Sequence, residues 1–266
     1  MKNFKQHLSF IIFAGLVIIF SSCEKVIDLK LDNAAPKIVV EAILTDLDVR
    51  QIVSLSSTTN FEANNTKVPV SGATVTIKEE NGPTITYSEV TPGNYVSTRY
   101  KGIPGKKYTI TVTAGGQTYV AISTMPTPVP IKSLSQIELS AFGETRKVVQ
   151  VNFNDPAGVA NYYYNRVFIN NFKNDRYYVD SDRFTDGREV KNNIFIDEPE
   201  LVTGDKVKIQ LLTIDEKVYK YLFSITQITG NGGPPTTPAN PESNFNNGAL
   251  GFFSASSFTV DSLVIK

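Results

Sequence analysis

From Lys37 onward, apolar and polar residues alternate with a period of two along much of the chain. The first such run places apolar residues at every second position, at Ile38, Val40, Ala42 and Leu44. This alternation is typical of a β-strand with one buried face. The same pattern returns many times, so the sequence predicts a mainly β protein.

Turn signals separate these runs in the first half. Asn81-Gly82 lies between two alternating runs and predicts a hairpin whose two turn residues both have positive φ. Pro92-Gly93, Pro104-Gly105 and Gly115-Gly116 predict further turns. Short strands at this spacing are typical of an antiparallel sandwich, so residues 37–125 are predicted to form an immunoglobulin-like or transthyretin-like domain.

The segment Pro126-Thr127-Pro128-Val129-Pro130 is the clearest internal boundary. Alternating prolines favour an extended, semi-rigid spacer, so residues 126–130 are interpreted as a linker between domains. The alternative is a crossover between two sheets of one domain. The second half, residues 131–266, shows further strand runs, of which Leu250 to Ser254 and Phe258 to Ile265 are predicted as two closing strands.

One stretch of the second half has helical spacing. Its apolar stripe contains Val218, Leu222 and Ile225, and it predicts a helix over about 214–229. Thr213 and Glu216 have the spacing of a capping box at its start. The predicted fold is therefore mainly β, with two antiparallel β-sandwich-like domains, the second carrying one α-helix and a long loop over 230–248.

The N-terminus has the pattern of a bacterial lipoprotein signal. Leu8 to Phe20 is almost wholly apolar and follows the basic residues Lys2 and Lys5. This run is shorter than the ~20 residues of a transmembrane helix and suits a secretory signal. We expect cleavage after residue 22, lipidation of Cys23, and a tether over 23–36. An uncleaved anchor and an ordinary signal peptide are the alternatives. The membrane is then a partner, through the lipid on Cys23.

Cleavage would leave a chain with little catalytic chemistry. The only histidine is His7 and the only cysteine is Cys23, so residues 24–266 contain neither. Histidine-dependent triads, Cys-His catalysis, zinc sites built on these residues and disulfides are thereby excluded. Loss of Lys2 and Lys5 leaves 26 − 2 = 24 basic against 26 acidic residues, which does not suggest nucleic-acid binding. We expect no enzyme and no cofactor, and a carboxylate-based hydrolase is the least favoured alternative.

Three groups of residues are candidate contact sites. Tyr162 and Tyr164 share one face of a predicted strand and are a candidate aromatic platform, with cross-strand packing as the alternative. Asn244, Phe245 and Asn246, in the loop over 230–248, are a candidate partner contact, with Phe245 as its apolar anchor. The acids Asp175, Asp180, Asp182 and Asp186 lie close in sequence, but a solvated loop is favoured over a calcium site, and no metal site is predicted.

Several motifs together resemble a known family. They are Ser22-Cys23-Glu24-Lys25-Val26-Ile27-Asp28-Leu29, Lys37-Ile38-Val39-Val40-Glu41, Val70-Ser71-Gly72-Ala73-Thr74-Val75, Ser123-Thr124-Met125-Pro126, Phe153-Asn154-Asp155-Pro156, Asn161-Tyr162-Tyr163-Tyr164, Asn240-Pro241, Ser243-Asn244 and Gly248-Ala249-Leu250-Gly251-Phe252-Phe253. They resemble the Bacteroidota lipoprotein family known as domain of unknown function 4249, whose last motif commonly has glycine where Ala249 stands. A shorter pattern (Val70 to Val75, Gly93-Asn94-Tyr95 and Gly105 to Tyr108) resembles carboxypeptidase-regulatory-like and transthyretin-like modules.

The family resemblance implies a lipoprotein of the outer membrane. Proteins of this family are often encoded beside TonB-dependent β-barrel receptors, which implies that the chain is an accessory or binding subunit of such a receptor. It carries over no catalytic residue. A structural or adhesive module of the cell surface is the alternative function, and the sequence leaves open whether the protein faces the periplasm or the cell exterior.

Overall fold

The structure, a computed structural model, describes residues 35–59, 67–141, 143–229 and 241–266. Residues 36–266 form one compact unit. Its strands are β1 (Ile38–Thr45), β2 (Val49–Ser57), β3 (Val68–Pro69), β4 (Thr74–Glu79), β5 (Thr84–Thr91), β6 (Asn94–Tyr100), β7 (Lys107–Ala114), β8 (Gln117–Thr124), β9 (Ile131–Ala141), β10 (Glu144–Asn154), β11 (Tyr162–Ile169), β12 (Phe172–Lys173), β13 (Tyr178–Ser181), β14 (Glu189–Ile194), β15 (Lys206–Ile214) and β16 (Leu250–Val264). One α-helix, α1 (Glu216–Ile228), and a 3₁₀ turn at Asp182–Phe184 complete the described elements.

Two sheets contain these strands. The larger has the order β12-β11-β15-β16-β1-β2-β6-β5-β4-β7-β8, with β13 beside β11 and β3 beside β2. The smaller has the order β14-β10-β9. The prediction of a mainly β protein with one helix is confirmed.

Strand β16 joins the first and last parts of the chain. Its N-terminal half pairs in parallel with β1, from Val39–Leu250 to Thr45–Ser256. Its C-terminal half pairs antiparallel with β15, from Ser257 to Val264. The expectation of two separate closing strands was wrong, because β16 continues without a break where it changes partner.

The two faces of β16 meet different surroundings. On one face, Phe253 and Ala255 enter a core formed mainly by β1, β2, β4, β5 and β7. Further along the same face, Leu263 packs on a second core between β11, β15 and the small sheet. On the opposite face, Phe252 packs under helix α1 together with Leu212. One strand therefore serves all three cores.

The predicted domain boundary falls inside this unit. Val129, in the middle of the proline segment, is buried in the second core. Its carbonyl accepts a hydrogen bond from Thr259 Oγ1 of β16 at 3.0 Å. The structure thus favours the alternative of a crossover within one unit, because β1 and β16 pair the two halves into one sheet. Their pairing is parallel, unlike the antiparallel arrangement expected.

Helix α1 begins slightly later than predicted. Its N-cap is Asp215, whose side chain accepts a hydrogen bond from the backbone N–H of Val218 at 3.0 Å. Thr213 is buried in β15 and does not cap the helix, because the strand continues through Ile214. Glu216 instead pairs with Lys220 one turn further on, at 2.7 Å.

The hairpin at Asn81-Gly82 is confirmed, as β4 pairs with β5 on either side. Asn81 has φ 59°, whereas Gly82 is not among the glycines with positive φ. The turn is therefore not the mirror-image type that was expected. A Cβ at Gly82 would lie 2.6 Å from Glu79 Oε1, so any larger residue there would require the Glu79 side chain to move.

Candidate ligand-binding groove

A groove of about 410 Å³ lies on the face of the large sheet that carries helix α1. Five adjacent strands, β11, β15, β16, β1 and β2, contribute side chains to it. Pockets that bind small molecules commonly have volumes of 300–1,000 Å³. The groove therefore has the size of a small-molecule site, and it exists only because β16 joins the two halves of the chain.

Apolar side chains form much of the groove. Phe252 and Tyr164 are buried where it meets helix α1, and Ile43 and Phe258 are partly buried beside them. The opposite wall is more open. Ile52 is 56% exposed, Val49 38% and Leu47 37%. The groove thus passes from a covered apolar end to an exposed apolar wall.

A cationic cluster lies on the same face, around Phe168 of β11. Lys208 Nζ lies 4.6 Å from the Phe168 ring centroid, and Arg166 Cζ lies 5.7 Å from it. Both distances are within the range of cation–π contact. Lys173 is paired with Phe168 in the β11–β12 register, so its side chain leaves the sheet on the same face. Arg166 and Lys173 line the groove directly.

These cations have few acidic neighbours. In the described part of the chain, Arg166, Lys173 and Lys208 form no salt bridge. Of the described carboxylates, Glu41 lines the groove, and its Oε2 already pairs with Lys67 Nζ at 2.8 Å. The groove consequently has an excess of positive charge.

The electrostatics of Lys173 reflect this excess. Desolvation lowers the pKa of Lys173, and the nearby Arg166 guanidinium lowers it further. Asp175 and Glu41 act in the opposite direction. The net lowering means that the groove disfavours the positive charge of Lys173, and an anion bound between the two side chains would relieve this.

The predicted tyrosine platform is covered rather than open. Tyr164 is only 3% exposed and packs in the core beneath helix α1. Tyr162 is partly buried, and its ring lies 5.0 Å from that of Tyr219 of the helix. Both tyrosines share one face, as predicted, but the helix occupies most of it. Only Tyr164 reaches the groove.

Residues 244–246, the predicted partner contact, are hydrogen-bonded to β8 and β16 of the protein itself. Phe245 is 7% exposed and belongs to the first core, so it is not an exposed anchor. Asn244 exchanges two hydrogen bonds with the backbone of Phe253, at 2.7 and 3.0 Å. The exposed Asn246 accepts from the N–H of Val120 at 2.7 Å. The segment thus covers the edge of β8 with backbone-like hydrogen bonds.

The acidic residues are only partly brought together. Asp182 and Asp186 lie near Asp155, each with a carboxylate oxygen within 4.8 Å of the others. Their oxygens already accept hydrogen bonds, for example Asp182 from Asn161 N and Asp186 from Gly158 N, both at 2.7 Å. Asp180 is not in this group and accepts from Asn192 Nδ2. Asp175, also outside the group, lines a neighbouring cavity. These acids mainly stabilise loops.

Two predicted features lie outside the described residues. They are the signal segment with Cys23 and the tether as far as residue 34, and the part of the long loop over 230–240. Within the described ranges, no helix has both the length and the apolar character needed to cross a membrane.

Comparison with known proteins identifies the family. Residues 24–262 match the model of the family described as domain of unknown function (DUF4249), which covers most of the chain. The chain belongs to this family. No curated protein matches it closely enough to count as a relative. The resemblance of the N-terminal half to transthyretin-like modules stays a prediction.

Proposed function

We propose that this protein is a lipid-anchored, non-enzymatic binding subunit of the cell envelope that acts beside a TonB-dependent receptor. Cys23 carries the lipid in this proposal, and the anchor lies in the outer membrane. The ligand-binding part is the groove on the face of β11, β15, β16, β1 and β2. The receptor is the partner that uses the bound ligand.

The observation that carries the binding role is the unpaired charge in the groove. Arg166 and Lys173 project into a partly apolar depression without a carboxylate partner among the described residues. Other basic side chains of the described residues do have carboxylate partners, as in Arg99–Asp48 at 3.2 Å and Lys132–Glu189 at 2.7 Å. A depression that combines apolar walls with a few convergent polar groups is typical of ligand sites.

The placement of the acids supports a non-enzymatic role. Among the described carboxyls, burial raises the pKa of Asp46, Asp180 and Asp215. None of them lines the groove. Asp215 caps helix α1 and Asp180 is held by Asn192, so both have structural partners. A carboxylate pair facing a common cavity, as a hydrolase needs, is not formed by these residues.

The receptor association rests on the family resemblance, and a pull-down tests it. The full chain, tagged after the exposed Lys266, would be extracted from its native membrane in mild detergent, and all retained proteins identified by mass spectrometry. We expect a TonB-dependent barrel in near-equal amount. The same tag on a Cys23→Ala variant is the control, and it should lose membrane attachment and barrel together.

Recovery of the intact lipoprotein alone would contradict the receptor association. Recovery with surface polysaccharide and without a barrel would favour the alternative function, a structural or adhesive module. Neither result depends on which ligand occupies the groove.

A further inference from the structure

We infer that the groove binds an amphiphilic monocarboxylate, whose carboxylate lies between Arg166 and Lys173 and whose apolar part lies over Phe258. This inference deepens the proposed function, since it names the ligand class of the same groove. It rests on the arrangement of charge and apolar surface across the joined sheet.

The anionic group is indicated by the pair of cations. Arg166 and Phe168 alternate along β11 on one face, and Lys173 lies opposite Phe168 in register. The Arg166 guanidinium therefore lies at cation–π distance from the Phe168 ring and has no carboxylate partner among the described residues. The planar hydrogen-bonding edge of an arginine pairs well with a carboxylate, through two parallel hydrogen bonds. A ligand carboxylate would supply the partner that the chain does not.

A single negative charge fits better than a double one. Glu41 lines the same groove, and the negative charges of Glu41 and Asp175 both act to raise the pKa of Lys173. Like charges that lie close together disfavour each other. A phosphate monoester would bring a second negative charge into this field, so a carboxylate is favoured.

The apolar part is indicated by the surface beside the cations. On the groove face of the sheet, Tyr164 is the next residue along β11 from Arg166. Phe258 of β16 lies across the sheet from Tyr164, since both pair with Leu212 of β15. Beyond them lie Ile43 and the exposed Ile52. Covering this surface removes apolar area from water, which favours binding.

The neighbouring cavity provides a contrast. It is larger, about 690 Å³, and shares Lys173 with the groove. Its lining includes Asp175, Asp197 and Glu198, and Asp197 pairs with both Arg176 and Arg146. The described acids that line this cavity therefore outnumber its basic residues, whereas basic residues outnumber acids along the groove.

Isothermal titration calorimetry on residues 36–266 tests the inference. Every buried cluster described above lies within this one compact unit, so the fragment keeps its packing and needs no detergent. The probes are octanoate, octyl phosphate and octylammonium, which share one apolar chain and differ in the head group. We expect octanoate to bind at least tenfold more tightly than octylammonium, and more tightly than octyl phosphate. Equal binding of the three, or tightest binding of octyl phosphate or octylammonium, would overturn the inference.

Matched arginine variants locate the site. Arg166→Gln should weaken octanoate binding by about tenfold or more, since a hydrogen bond to a charged group is lost. Arg183→Gln is the control, because Arg183 also lies over a phenylalanine ring, at 5.2 Å from that of Phe184, but does not line the groove. Equal weakening by both variants would overturn the inference. If octanoate fails to bind while the barrel co-purifies, the ligand class is wrong and the receptor association stands. If octanoate binds while no barrel co-purifies, the receptor association is wrong and the ligand class stands.

Discussion

At the scale of single residues, Gly251 makes the joining of the two halves possible. It lies opposite Val40 in the parallel β1–β16 pair and has φ +92°. A Cβ at this position would lie 2.0 Å from the carbonyl oxygen of Val40, well inside van der Waals contact. Only glycine fits, because both the backbone conformation and the space exclude a side chain.

Gly251→Ala should therefore separate β1 from β16. The left-handed conformation costs about 1–2 kcal/mol and the forced displacement about as much again or more, so we expect a loss of about 3–5 kcal/mol in the free energy of unfolding. Gly248→Ala is the matched control: Gly248 has φ +73° but nothing within 4 Å of its Cβ position, and it should lose only about 1–2 kcal/mol. Urea denaturation of both variants measures the difference, and equal losses would show that the contact with Val40 is not limiting.

The residues of the groove show what a single sequence can and cannot reveal. Alternation along the tyrosine-rich strand already places Arg166 and Phe168 on the face of Tyr164. The pattern does not show that these two side chains line a groove, because alternation alone does not distinguish a groove from an exposed sheet face. No local pattern indicates that β1 and β2 complete the groove, since they come from a part of the chain more than 100 residues away.

At the scale of elements, helix α1 is fixed by a cap that also connects distant strands. Asp215 accepts from the N–H of Val218, and its carboxylate also accepts a hydrogen bond from the hydroxyl of Ser123 on β8. The Ser123 hydroxyl in turn accepts from the N–H of Ala255 on β16, at 2.9 Å. The start of the helix is thereby tied to strands from both halves.

Two substitutions of Asp215 distinguish the effect of the cap hydrogen bond from the effect of the carboxylate charge. Asp215→Ala removes the acceptor and should cost about 2 kcal/mol, at the upper end for a cap because Ser123 is also left unpaired. Asp215→Asn keeps an acceptor and should stay within about 1 kcal/mol of the wild type near neutral pH. Thermal and urea unfolding of the two variants measure these values, and equal losses would contradict the capping role.

The same residue gives a pH dependence. Burial raises the pKa of Asp215 above its ordinary value of 3.8 in the folded protein. Its contribution to stability is thus fully present below pH 3.8 and is lost as the pH rises through the raised folded value. The stability of Asp215→Asn relative to wild type should therefore increase with pH across this acid range. A relative stability that falls with rising pH would contradict the assignment.

The helix also shows where local patterns were sufficient. Its apolar stripe predicted the element and its end, because residues of one helical face are close in sequence. The capping box was placed two residues too early, since nothing local shows that β15 continues through Ile214. Phe245 was misinterpreted for a similar reason: a phenylalanine in a polar loop looks exposed until the core that receives it is known.

At the scale of the whole molecule, the chain is organised by contacts between its ends. The proline segment at 126–130 looks like a linker in sequence, but the pairing of β1 with β16 makes residues 36–266 one unit. Strand content and most turns were predictable, because they depend on neighbours in sequence. The sheet order was not, because pairing between remote strands leaves no local signature.

This arrangement creates the face on which the central proposal rests. The groove is bounded by strands from both halves, so its binding role requires the joined sheet. Ile43 of β1 and Ile52 of β2 line it, whereas Ile77 and Ile110 are buried in the first core on the other side of the sheet.

Methyl NMR of isoleucine-labelled protein, residues 36–266, titrated with octanoate tests this claim most directly. We predict saturable shifts of the Ile43 and Ile52 methyl signals, with those of Ile77 and Ile110 unchanged. Absence of shifts at Ile43 and Ile52 at saturating octanoate, or shifts confined to Ile77 and Ile110, would contradict the assignment of the groove as the binding site.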